Sequence, residues 1–224
     1  MRTIIIVFFI LIIAGGCKTY SYFNSSNDLS NEQCKVFLAN GTAIDGKLTV
    51  QFETGHGVDK YLKIQTEGNV EKKILITDIQ YYKHNNEYYF PKETDLEVFE
   101  IPYQDKMFTP NVNNLLFMKR LTKENATIQL FQLFKARSNS SDGTDQYSYY
   151  ISLKDDNRFV TWSISGNKFF PYFEEKMSKI VSDCPSLAEK IKQKVNGYTV
   201  RQMSVDAQKY EVIKRIVDEY NSCK

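Results

Sequence analysis

Residues 47–53 read Lys47-Leu48-Thr49-Val50-Gln51-Phe52-Glu53, a strict alternation of polar and apolar side chains. Successive side chains of a β-strand point to opposite faces, so Leu48, Val50 and Phe52 share one face. The stretch predicts a half-buried antiparallel strand, and the pattern recurs downstream. Gly55-His56-Gly57 predicts a turn, residues 61–66 alternate again, Glu67-Gly68-Asn69 turns the chain, and 73–76 form a third run. Residues 79–83 and 88–90 flank His84-Asn85-Asn86-Glu87 and predict a hairpin, because Asn tolerates left-handed backbone. Residues 127–134 predict another strand, and 146–153 and 158–164 predict a second hairpin around Asp155-Asp156-Asn157. Residues 138–145 are polar and contain Asp-Gly, which predicts an exposed loop. Short strands at near-regular spacing imply one antiparallel system, a half-barrel or a sandwich.

After Gly166 the period changes from two to between three and four. Phe169, Phe173, Met177 and Ile180 form one apolar stripe. Cys184-Pro185 ends that helix and starts a second, with Leu187, Ile191 and Val195 inward and Asn196-Gly197 as its stop. Ser204 is placed to cap a third helix carrying Tyr210, Ile213, Val217 and Tyr220. Strands first and helices last give an α+β fold class: an antiparallel β-rich body, then a C-terminal segment of about three helices.

Upstream of the strands, residues 4–13 form an apolar run of about ten residues, half of what a bilayer-spanning helix needs. Arg2 precedes the run and Ala14-Gly15-Gly16 follows it, the plan of a secretory signal peptide cut between Gly16 and Cys17. A cysteine directly after the cut resembles the lipobox of bacterial lipoproteins, with Ala14 where the usual pattern has Leu. The resemblance implies a diacylated Cys17 and a membrane partner reached through N-terminal acyl chains, which anchor stably when two or three are present. Lys18 follows the cysteine, where the inner-membrane retention signal has Asp, so the expected location is the outer membrane, facing the periplasm. The segments are then 1–16, a signal peptide; 17–33, a lipidated N-terminus and flexible Ser/Asn-rich tether; 34–165, the β body; and 166–224, a helical tail packed on the body.

The formal net charge is +2 with no basic stripe, which argues against nucleic acid as a partner. No nucleophile elbow, phosphate loop or His-Glu-x-x-His zinc motif occurs. His56 and His84 are the two histidines, and both read as turn residues; no ligand spacing implies a metal, and no cofactor is implied. Glu97 and Glu100 read as solvated, and Asp142 and Asp145 as loop residues. The Asn-x-Ser/Thr sequences at Asn24, Asn40, Asn125 and Asn139 read as chance in an Asn-rich chain. Of four cysteines, three remain beside Cys17 in an oxidising compartment. Cys184 starts the second helix and Cys223 follows the third, so antiparallel packing of those helices predicts a Cys184–Cys223 disulfide, with Cys34 left as a buried thiol.

Asp183-Cys184-Pro185-Ser186-Leu187, Lys190-Ile191, Gly197-Tyr198 and Tyr220-Asn221, with Met118-Lys119-Arg120-Leu121 before them, resemble exported lipoproteins of Gram-negative bacteria that have a β-rich body and a helical end. The resemblance implies that order of elements and carries no assigned activity or catalytic residues. The alternation within Ile79-Gln80-Tyr81-Tyr82, Tyr88-Tyr89-Phe90 and Tyr149-Tyr150-Ile151 directs Tyr82, Tyr89 and Tyr150 outward as a candidate binding surface, unless the tail covers them. The expected function is a lipid-anchored envelope protein acting as a non-catalytic binding or scaffolding module, with an envelope protein or glycan as partner. The alternative is a secreted or periplasmic, hydrolase-like enzyme whose site is assembled from distant residues.

Overall fold

The computed structural model describes residues 32–54, 60–93, 115–137 and 145–223. Gly16, Cys17, His56, Glu97, Glu100 and Asp142 lie outside the described residues, as do most of the tether and the Asn24 and Asn139 sequences. The described strands are β1 (Glu32–Leu38), β2 (Ala43–Thr54), β3 (Lys60–Gln65), β4 (Glu71–Leu75), β5 (Ile79–His84), β6 (Glu87–Glu93), β7 (Leu115–Arg120), β8 (Gln129–Arg137), β9 (Asp145–Ser152) and β10 (Trp162–Ser163). Helices α1 (Phe173–Ile180), α2 (Pro185–Lys192) and α3 (Asp206–Cys223) follow. The strands form one sheet in the order β10-β9-β8-β7-β6-β5-β1-β2-β3-β4, and every described pairing is antiparallel. The fold is α+β.

Connectivity forces one end of the sheet to roll. Edge strand β4 and strand β5 are four positions apart, yet only the short 3-10 turn Ile76–Asp78 joins them. Laid flat they would stand about 19 Å apart at ~4.8 Å per strand. Four residue steps reach at most about 14 Å even when extended. The β4 end therefore curls into a half-barrel. Register shifts within β2 help it to bend. Gly46 allows close approach of β3, because a Cβ there would stand 2.5 Å from the Gln65 carbonyl oxygen.

The concave face holds Val36, Leu48, Leu62, Ile64, Tyr82, Tyr89 and Phe117 in one apolar cluster closed by Ile76 and Ile79. Each fully buried side chain of this size contributes about 1.5–3 kcal/mol. Along the same face, at the β8–β9 end, α1–α3 supply the cover. Leu130, Ile151 and Ile164 pack with Met177, Leu187, Ile191, Ile213, Ile216 and Val217. Asn221 of α3 ties the tail to the sheet: its Oδ1 accepts from the Thr127 and Ile128 amides at 2.9 and 3.1 Å, and its Nδ2 donates to the Ile128 carbonyl at 2.9 Å.

The tyrosine surface expected from the alternation is corrected. Tyr82, Tyr89 and Tyr150 are 0%, 1% and 8% exposed. Leu38 pairs with Ile79 and Phe37 with Tyr81, so Gln80 is an extra residue on β5. That bulge resets the alternation and turns Tyr82 inward beside Ile79. Tyr89 stands opposite Tyr82 and stacks on it at 4.7 Å. Tyr150 does lie on the convex face, but Met118, Phe131 and Leu133 bury it there.

Other boundaries moved for local reasons. β1 begins at Glu32, inside the segment read as tether, and pairs with β2 from its first residue. His84 is the buried last residue of β5, while Asn85 and Asn86 make the turn with φ of 45° and 64°. α2 stops before Asn196-Gly197. Lys194 takes left-handed backbone (φ 53°), and the Val195 amide bonds the Lys190 carbonyl at 3.0 Å in a Schellman motif. Val195 consequently lies outside the helix and is exposed. Cys184 and Cys223 are disulfide-bonded with α-carbons 6.2 Å apart, and Cys34 is a buried free thiol.

Candidate site on the convex face of the sheet

The bulge that buries Tyr82 presents Tyr81 on the convex face. Tyr88, Phe90 and Phe37 join it there, all partly exposed. Phe37 stacks on Tyr81 at 4.5 Å, and Tyr81 meets Tyr88 at 5.7 Å and Phe90 at 5.3 Å. Cations accompany the rings: Arg120 lies over Tyr88 at 5.0 Å and Phe90 at 4.8 Å, and Lys83 over Tyr88 at 5.5 Å. Such cation–ring pairs are attractive and set positive charge beside the aromatic row.

Phe90 leads from this row into a cleft of about 580 Å³. Its walls include Gln80 from the bulge, Gln129 from β8, and Asn157 and Arg158 from the segment joining β9 to β10. That segment, expected as a tight hairpin, instead folds back across the sheet. The Glu93 amide donates to the Phe159 carbonyl at 2.8 Å, and the Thr161 hydroxyl donates to the Glu93 carbonyl at 2.7 Å. Phe159 and Val160 are buried by the same crossing, which leaves β10 two residues long.

Lys92 of β6 forms part of the cleft lining and is 4% exposed. Its ammonium donates to the Arg158 carbonyl at 2.6 Å and stands 4.5 Å from the centre of the Phe131 ring. It enters none of the ion pairs among the described residues. Burial pushes its pKa down to about 7; Asp156 opposes the shift and Arg158 adds to it. Asp156 is also displaced: burial raises its carboxyl above the ordinary range, against the pull of its hydrogen bonds and of Lys168 and Lys92. Its Oδ2 accepts from the Leu153 amide at 2.6 Å and the Trp162 indole at 3.1 Å. A cation and a carboxylate displaced toward each other in one cleft are a candidate functional pair.

Lys92, Asp156 and Arg158 were not singled out by sequence reasoning. Lys92 follows the apolar run 88–91 directly, a weak sign of an inward lysine, whereas Asp156 and Arg158 read as an ordinary polar turn. Among the described residues no cluster of His, Cys, Asp and Glu is placed to hold a metal ion. Compared with known protein families, curated proteins and solved structures, the chain matches none.

Proposed function

We propose that the chain is a lipid-anchored envelope protein whose convex sheet face binds a glycan without catalysis. The observation that carries this reading is the continuity of the partly exposed ring row, through Phe90, with a cleft walled by amides and cations. A sugar presents apolar C–H faces and polar hydroxyl edges. Partly exposed rings suit the first, and Gln80, Gln129 and Asn157 suit the second. The signal-like residues 4–16 and Cys17 support export and acylation, which would hold the domain near envelope glycans. Two measurements test the reading. Labelling with a palmitate analogue should mark the chain and fail with Cys17→Ser. Titrating solubilised envelope oligosaccharides should perturb the NMR resonances of Tyr81 and Tyr88, and Phe90→Ala should abolish binding. Binding unchanged in Phe90→Ala would place the ligand elsewhere.

A second reading is favoured by the displaced Lys92 and Asp156 groups, which suit general base and general acid roles. A hydrolase of this kind would turn over an envelope oligosaccharide and lose that activity in Asp156→Asn. The binding reading predicts no turnover in either protein.

A further inference from the structure

We propose that the cleft is an oxyanion subsite in which Lys92 on the floor and Arg158 on the wall take the carboxylate or phosphate of an acidic sugar. The inference rests on the glycan reading and adds the charge of the ligand. Three cations, Lys92, Lys154 and Arg158, line the cleft against one carboxylate, Asp156. Asp156 is committed to the Leu153 amide and the Trp162 indole. The ammonium of Lys92 carries three protons, of which one goes to the Arg158 carbonyl. Arg158 directs Nη2 to the Thr77 carbonyl at 2.5 Å, leaving further guanidinium donors. Among the described residues the Lys92 ammonium makes no ion pair, its one hydrogen bond is to a carbonyl, and Asp156 offsets its burial only in part; an entering anion in a low-dielectric cleft supplies the missing interaction. Facing Lys92 from the segment after β9 are Lys154, Asp156 and Arg158; from β8 the neutral Phe131 ring; and from β7 its cross-strand partner Leu116. Its neighbour Glu93 belongs to the opposite face of the strand.

The test is calorimetric titration of the full chain in detergent with a galacturonate trisaccharide, its neutral galactose counterpart, mannose 6-phosphate and inorganic phosphate. A galacturonate preference identifies a carboxylate ligand, and a mannose 6-phosphate preference identifies a phosphate. Either acidic sugar should bind roughly tenfold or more tightly than the neutral one, as charge-assisted hydrogen bonds require. Lys92→Met and Arg158→Met should each erase that preference, and the surface variant Lys214→Met should keep it. Binding in the parent should weaken about tenfold per pH unit above neutrality and stay flat in Lys92→Met. Thermal unfolding of each variant separates lost binding from lost fold, and Arg158→Met carries the test if Lys92→Met is misfolded. Equal binding of acidic and neutral sugars overturns the oxyanion subsite and leaves the glycan reading intact. Phosphate binding that depends on Lys92, with no sugar bound, overturns the glycan reading and keeps the subsite. No binding of any probe overturns both.

Discussion

Lys92 makes the protein's stability depend on pH in a direction opposite to that of a paired lysine. Its folded pKa is depressed to about 7, whereas an unfolded lysine titrates near 10.4. Between those values the unfolded chain holds a proton that the folded chain has lost, so this residue makes stability rise with pH from about 7 to about 10. Below pH 7 both states are protonated and the folded state bears the full cost of the buried charge. Lys92→Met should therefore stabilise the protein at pH 6 by on the order of 3–4 kcal/mol, after about 1 kcal/mol is lost at the orphaned Arg158 carbonyl. The gain should fade by pH 10, and urea unfolding at the two pH values measures it. Cys34 shows the same cause acting on a thiol. Burial, aided by Asp45, pushes it up to about 12, so it stays a thiol in the folded protein. A thiol reagent at pH 8 should modify it only as fast as the chain unfolds, and immediate reaction in the native state would contradict its burial. The sequence marks Cys34 as a buried thiol and Lys92 only by the apolar run before it, and the size of neither displacement shows there. Asp156 and Arg158, which act on Lys92, lie more than sixty positions from it, whereas Asp45 is eleven positions from Cys34.

Elements were legible where a single period rules and obscure where one residue breaks it. The alternation at 47–53 lies within β2, and the 3.6-residue stripes found α1, α2 and α3, because packing on one face imposes a regular repeat. The extra residue Gln80 leaves no mark in composition, yet it exchanges the exposures of Tyr81 and Tyr82. The candidate cleft was hidden for a related reason: the segment after β9 reads as a turn, and only its hydrogen bonds to Glu93 reveal the crossing. Helix ends follow the same logic. Lys194 bears left-handed backbone that glycine adopts without penalty, so Lys194→Gly should stabilise the protein by about 1 kcal/mol, read as a higher melting temperature. A lower one would mean that the lysine side chain contributes more than its backbone costs. Asn221 is the opposite case, a side chain serving three backbone groups of the β8 approach. Asn221→Ala strands those groups and should cost about 2–3 kcal/mol, with faster amide exchange at Thr127 and Ile128.

Across the whole molecule, one face of one sheet does two jobs. At the β4 end it rolls onto itself, and at the β8–β9 end it needs the helices as a lid. The lid holds its shape through the Cys184–Cys223 bond, which spans a sequence separation of 39 between the start of α2 and the end of α3. In the chain-entropy account a closed loop of that length contributes about 3–4 kcal/mol. Because Met177, Leu187, Ile213 and Val217 share a cluster with Leu130 and Ile151 of the sheet, that contribution belongs to the entire domain and not to a separate helical unit. Reduction, or Cys184→Ala with Cys223→Ala, should therefore lower the denaturant midpoint while the unfolding followed by tyrosine and tryptophan fluorescence and by circular dichroism remains one coincident transition. An independent tail would give a different result: two transitions, with only the helical one moved by reduction. The sheet would then have to keep Leu130 and Ile151 dry without α1–α3, and among the described residues those helices are what covers them.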